Sequence, residues 1–275
     1  MAEAHGGTDA SKGGADTPQD GANAPQGRAN APQGRAAVVT GGSRGIGRAI
    51  VRRLARDGAD VVFGYAHDEE AAAEVVRTVA AEGGRAWALR ADLAEPGAAE
   101  RLMDQAQERL GGLDVLVNNA AARFAPTPLA DLDDAQLDAV LAVNTRSAFA
   151  TVRYAARRMR DGGRIVNIST ANTVRPVPGI AAYAASKGAL EQLTAVAAVE
   201  LGPRGITVNT VSPGATDTDL LRGTNPPEAL TRVAGLTPLR RLGHPEDIAD
   251  VVAFLAGPDG RWVTGQNLRA TGGLA

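Results

Sequence analysis

The chain has 275 residues, 44% apolar and only 3% aromatic, with 29 basic and 31 acidic side chains for a formal net charge of -2. This length allows one or two domains, the composition calls for an Ala/Val/Leu/Ile core, and the charge balance argues against the clustered positive surface that nucleic acids and anionic membranes require. Cysteine is absent, which excludes disulfides, thiol nucleophiles and Cys-ligated metals, and His5, His67 and His244 are too scattered in sequence to suggest a zinc site, so no metal is expected.

No apolar run reaches about 18 residues, and the N-terminus lacks an apolar segment of signal-peptide type. Neither a membrane span nor secretion is expected, and a cytoplasmic location is. Residues 2–37 contain no Val, Ile, Leu, Phe, Tyr or Trp and include a tandem repeat, Asn23–Ala29 followed by Asn30–Ala36. Such a segment buries too little apolar area to offset its ordering entropy, so residues 1–36 are expected to be a disordered tail and 37–275 the domain.

From Ala37 short β-rich runs alternate with stretches of helical length. Strands are expected at Ala37–Thr40, Asp60–Tyr65, Arg85–Arg90, Leu113–Val117, Arg164–Ser169, Thr207–Ser212 and Trp262–Arg269. Helical segments between them include Gly47–Asp57, Glu69–Glu82 and Gly97–Leu110. This alternation implies right-handed βαβ units and one doubly wound, seven-stranded parallel sheet with helices on both faces, a Rossmann fold. Val115–Val117 and Ile165–Ile168 alternate little, as strands buried on both faces do.

The first strand runs into Thr40-Gly-Gly-Ser-Arg-Gly-Ile-Gly47, with glycines at 41, 45 and 47. Gly41 suits a tight turn, Gly45 lets a pyrophosphate approach the backbone, and Gly47 permits close helix–strand packing. The following helix N-terminus offers N–H groups and a positive dipole end. Of the 29 basic residues 27 are arginine; the two lysines are Lys12 and Lys187. Lys187 follows Tyr183 by four in a helical stretch, so the two share a face. A phenol of pKa about 10 donates its proton more readily when a neighbouring ammonium stabilises the phenolate, which is the chemistry that this pair suggests.

The order Thr40–Gly47, Asp92-Leu93, Asn118-Asn-Ala-Ala121, Asn144, Ser169, Tyr183-Ala-Ala-Ser-Lys187, Pro213-Gly214 and Thr264-Gly265 resembles the short-chain dehydrogenase/reductases, most of all their 3-oxoacyl-carrier-protein-reductase-like members. The resemblance covers about residues 36–274. It implies an enzyme that moves a hydride between a nicotinamide and the carbonyl of a 3-oxoacyl or similar ketone. Tyr183 would be the general acid, with Ser169, at the end of its strand, orienting the carbonyl oxygen. Lys187 would hold the nicotinamide ribose, and Asn144 a proton-relaying water.

The same resemblance places Gly41, Ser43, Arg44, Gly45, Ile46 and Gly47 at the pyrophosphate, Asp92 and Leu93 at the adenine, and Asn118, Asn119 and Ala120 along the adenosine side. Pro213, Gly214, Thr216 and Thr218 would contact the nicotinamide carboxamide. Tyr65, Ala66 and His67 end the second strand, where an NAD enzyme usually carries an acid. Tyr65 is not acidic, Asp68 suits a helix N-cap, and Arg44 and His67 suit a 2′-phosphate, so NADPH is favoured over NADH. The resemblance also implies a homotetramer and a small-molecule substrate, carrier-linked or free. Arg123, Phe124, Val174, Arg175 and Val177 are candidates for the pocket wall, the two arginines facing an anionic group, and residues 217–240 resemble the family's substrate lid. Ala121 stands where the family usually has glycine, which would strain a left-handed backbone. The rival readings are an NAD-dependent alcohol dehydrogenase on the same scaffold and a non-catalytic nucleotide-binding subunit.

Overall fold

The computed structural model describes residues 34–275. The tail expected over residues 1–36 lies outside the described residues except for its last three, and there the expectation is corrected. Ala36 already belongs to the first strand, is buried, and donates its N–H to Asp114 at 2.8 Å.

Seven parallel strands form one sheet in the order β3-β2-β1-β4-β5-β6-β7. They are β1 Ala36–Val39, β2 Asp60–Tyr65, β3 Arg85–Arg90, β4 Val115–Asn118, β5 Arg164–Ile168, β6 Thr207–Pro213 and β7 Asn267–Ala270. The helices are α1 Gly45–Arg56, α2 Glu69–Ala81, α3 Ala98–Leu110, α4 Asp134–Leu141, α5 Ser147–Arg158, α6 Ala181–Leu201, α7 Asp219–Thr224, α8 Pro227–Leu236 and α9 Pro245–Ala256. β2 and β3 match the sequence expectation to the residue. β7 is shorter than expected: the chain turns at Gly265, whose φ is 68°, and Trp262 projects into solvent, 96% exposed.

Alternation along β1 explains the two cores. Ala37 and Val39 pack with residues of α1, α2 and α9 on one face, and Ala36 and Val38 with residues of α3, α5 and α6 on the other. Each fully buried Val, Leu or Ile contributes about 1.5–3 kcal/mol, and the core is mainly aliphatic, with Phe63 buried among these side chains. The strand order reverses between β1 and β4, and in such sheets ligands bind beyond the carboxyl ends of the strands at this point. Residues 217–240 include the two short helices α7 and α8, neither of which has a fully buried residue.

Candidate active site

The turn after β1 is built by close approach. A Cβ on Gly47 would sit 2.1 Å from the Gly41 carbonyl oxygen, and one on Gly42 2.6 Å from Phe63. Gly41 and Gly45 have φ of 67° and 53°. Gly47 therefore packs against the turn itself and the Asn119 amide rather than against a strand. The helix begins at Gly45, two residues before the expected start, and its N-cap, Arg44, gives no side-chain cap. An uncapped helix N-terminus behind a cradle that a Cβ would fill suits an anionic pyrophosphate.

Asn119 staples β4 to this turn. Its amide donates to the carbonyls of Thr40 and Gly41 at 3.0 and 2.9 Å, while the Thr40 hydroxyl accepts from the N–H groups of Asn119 and Ala120. Asn118 is buried, donating to Asn167 at 2.9 Å and accepting from Thr151 at 2.7 Å. The Asn118 side-chain amide and the Asn119 NH2 group are thus engaged inside the protein. Ala121 does not adopt a positive φ, so alanine there carries no left-handed strain; among the described non-glycine residues Arg240 does, at 57°.

The end of β2 collects basic groups. Arg44 pairs with Asp68 at 2.6 Å, and the other Asp68 oxygen accepts from Ala71 N, which makes Asp68 the α2 N-cap. Arg90, which sequence reasoning missed, is brought beside Tyr65 by the β2–β3 register and donates to the Ala66 carbonyl at 3.3 Å. Asp92 caps its own turn through Ala94 N at 3.0 Å, and Leu93 is buried beside it.

Tyr183 and Lys187 lie on one face of α6. The Lys187 ammonium is 5.9 Å from the Tyr183 ring centroid and donates to the Ile168 carbonyl at 2.8 Å. Burial pushes Lys187 down from 10.5 to about 8. Burial also pushes the Tyr183 phenol above its ordinary value, opposed by a hydrogen bond with the Thr170 hydroxyl. The expectation that the ammonium lowers the phenol is therefore corrected: in this state burial dominates and the charge is directed at a backbone carbonyl.

The strand-end serine is also corrected. Ser169 Oγ donates to Glu191 Oε1 at 2.6 Å. A hydroxyl has one proton to give, and that of Ser169 is spent on a carboxylate. The hydroxyl beside the phenol is that of Thr170, whose oxygen accepts from Asn172 N at 3.2 Å, which leaves its proton to donate. Asn144 sits in one turn of π-helix, Ala142–Arg146, between α4 and α5. It accepts from Ala122 N at 2.8 Å and donates to Ser186 Oγ at 2.9 Å, tying the loop after β4 to the Tyr183 helix.

Beyond β6, Gly214 leaves room for Thr271, whose Cα would lie 2.9 Å from a Cβ there. Gly214 follows the buried end of β6 at Pro213, and Thr216 Oγ1 donates to the Gly214 carbonyl. Thr218 caps α7 through Leu221 N, and its methyl would lie 3.2 Å from a Cβ on Gly45. Helix α7 thus starts against the glycine turn, where Ser43 is buried and Ile46 packs against the core. Beside Tyr183 lies a cavity of about 190 Å³ whose wall includes Arg123, Phe124, Leu132, Gln136, Val140 and Ile180. The Phe124 ring stacks on that of Tyr183 at 4.9 Å and 19°. Val174, Arg175 and Val177, expected in the pocket wall, are not among its lining; both valines are about half exposed, and Arg175 donates to the Leu274 carbonyl. Among the described residues no helix is long and apolar enough to cross a membrane.

Residues 41–275 match a family model described as enoyl-(acyl carrier protein) reductase. The chain is 41% identical to a short-chain type dehydrogenase/reductase of Picea abies over 246 residues, 86% of this chain and 91% of the relative. It is 40% identical to versicolorin reductase 1 of Aspergillus parasiticus, covering 86% of this chain and 95% of that protein. A short chain dehydrogenase from Burkholderia cenocepacia J2315, solved in complex with NADP, superposes with a TM-score of 0.83 at 45% identity, over 89% of this chain and 99% of that one. With the seven-stranded parallel sheet and the glycine turn, these similarities place the chain in the short-chain dehydrogenase/reductase family, as an NAD(P)-dependent oxidoreductase.

Proposed function

We propose that the protein is an NADPH-dependent reductase of a 3-oxoacyl or similar ketone, acting in the cytoplasm. The observation that carries this reading is the grouping of Tyr183, Lys187 and Thr170 beside the cavity under Phe124. NADPH, when bound, supplies the hydride to the carbonyl carbon. Thr170 donates to the carbonyl oxygen and Tyr183 gives that oxygen its proton, which leaves an alcohol and a phenolate. Lys187 steadies the phenolate, and Asn144, on the far side of Ser186, keeps the helix and the β4 loop in place around the proton path.

The residues fit the cofactor. The uncapped α1 N-terminus with Gly45 and Gly47 would hold the pyrophosphate, and Lys187 the ribose beside the nicotinamide. Pro213, Gly214, Thr216 and Thr218 would hold the carboxamide, and Asp92, Leu93 and Ala120 the adenine side. Arg44, Arg90 and His67 gather at the end of β2, where Tyr65 itself is not acidic and Asp68 is engaged as the α2 cap and as the partner of Arg44. The NADP-bound Burkholderia relative supports the same choice.

A flat aromatic ketone is a second substrate reading, favoured by the Phe124 ring parallel to Tyr183 and by the likeness to versicolorin reductase. The assembly we propose is a homotetramer, for which exposed Val196 and Val199 on α6, Phe149 on α5 and Trp262 offer apolar surface. Light scattering tests the assembly. The activity is tested by NADPH oxidation with acetoacetyl-CoA and with 2-tetralone. Reduction of either supports a carbonyl reductase and chooses between the readings; no reduction of either, in protein that binds NADPH, overturns the ketone reading.

A further inference from the structure

Glu191 lies one helical turn beyond Lys187 and two beyond Tyr183, on the same face of α6. One of its oxygens, Oε1, receives two hydroxyls: Ser169 Oγ at 2.6 Å and Thr173 Oγ1 at 2.8 Å. Thr173 Oγ1 is also 3.0 Å from the Thr170 carbonyl oxygen, so its proton bridges helix and loop. The residue before Thr170 and the residue three after it are therefore tied to one carboxylate. Hydrogen bonds to an ionised acceptor are roughly twice as strong as neutral ones. Lys187, four residues away on the helix, donates instead to the Ile168 carbonyl, immediately before the clamped segment. The segment from Ile168 to Thr173 is thus held from α6 at three points, and Thr170 sits among them with its hydroxyl at Tyr183.

We infer that Glu191 is a positioning residue, which takes the hydroxyl protons of Ser169 and Thr173 and so holds the loop with the Thr170 hydroxyl against the Tyr183 phenol. The inference rests on the proposed role of Thr170. Glu191 touches neither the phenol nor the cavity wall; it acts by fixing the separation between helix and loop. It also removes Ser169 as a competing donor, which explains why the adjacent hydroxyl, and not the strand-end serine, faces the reacting oxygen.

The test is a double-mutant cycle on turnover with NADPH and whichever of acetoacetyl-CoA and 2-tetralone is reduced faster. Thr170→Val lowers kcat about 100-fold, the scale of losing one oxyanion donor. Glu191→Leu lowers kcat about tenfold or more in the wild-type background and less than about twofold in the Thr170→Val background, because residues that act as a unit are not additive. The dissociation constant for NADPH stays within about twofold in all variants, as expected when cofactor contacts are untouched. Glu191→Ala, which also removes the acceptor, serves if the leucine variant fails to fold. Equal losses in both backgrounds, or no loss in the first, overturn the inference. Full turnover in Thr170→Val alone removes the Thr170 role instead, a separately visible failure. A crystal structure of Glu191→Leu reads the same point without substrate: Thr170 swings away from Tyr183, and an unmoved Thr170 overturns the inference.

Discussion

Lys187 holds its ammonium 2.8 Å from the carbonyl oxygen of Ile168, on a side chain only 2% exposed. Burial disfavours the charged form, which is why its pKa falls from 10.5 to about 8, corresponding to about 3 kcal/mol. The lysine is charged below about pH 8, where the folded state carries the cost of a buried ion. As pH rises from 8 toward 10.5 the folded protein has released this proton and the unfolded chain has not, so the penalty is relieved and stability rises. Lys187→Met should therefore raise the melting temperature at pH 7 by more than at pH 10 while turnover collapses. Melts at the two pH values check this, and a lower melting temperature at pH 7 would overturn it. In the wild type, NADPH affinity should decline as pH passes through about 8, and it should stay flat over that range in Lys187→Met.

Tyr183→Phe should leave NADPH binding within about twofold and lose at least about 99% of turnover, since positioned proton transfer contributes about 10²–10⁴-fold. Thr170→Val should lose far more turnover than Ser169→Ala, because only the former removes the free hydroxyl proton at the phenol. Steady-state kinetics on the three variants decides the matter; a Ser169→Ala loss larger than that of Thr170→Val would restore the serine to the role.

Arg44 and Asp68 form a partly exposed pair, with side chains 39% and 42% exposed. Such pairs contribute about 0–1 kcal/mol, so the guanidinium can turn to a phosphate at small cost. Arg44→Ala should weaken NADPH binding about tenfold, or about 1.4 kcal/mol, and change NADH binding less than about twofold. Fluorescence titration with both nucleotides checks it, and equal loss for the two would remove the 2′-phosphate role. Asp68→Asn keeps the α2 cap and should cost little stability, whereas Asp68→Ala should cost about 1 kcal/mol.

Gly47→Ala places a Cβ 2.1 Å from a backbone carbonyl, which has no flexible end to move aside. Opening the turn should cost about 1–3 kcal/mol of stability and weaken NADPH binding by at least about tenfold. Thermal melts and the same titration check both; a well-folded variant with wild-type affinity would show that the turn tolerates the spread.

Much of the molecule was legible because its signals are local. The alternation of β-rich runs with stretches of helical length set β2, β3 and the start of α2, the glycine spacing set the turn after β1, and a separation of four between Tyr183 and Lys187 put them on one helix face. Glu191 extends that face by another four and was open to the same arithmetic; it was missed because its partners, Ser169 and Thr173, come from another element.

What tertiary structure alone decided is which polar group of each motif faces the crevice. Successive side chains of an extended segment point to opposite sides, so Ser169 and Thr170 cannot both face Tyr183, and only the packing of α6 on β5 selects between them. The same holds for Asn118 and Asn119, one turned into the core and the other onto the glycine turn, and for Arg90, carried to the end of β2 by strand register across 25 residues of chain. Sequence spacing specifies neighbours along one element. Partners across elements depend on helix–sheet docking, a sum over many apolar contacts that no short motif encodes.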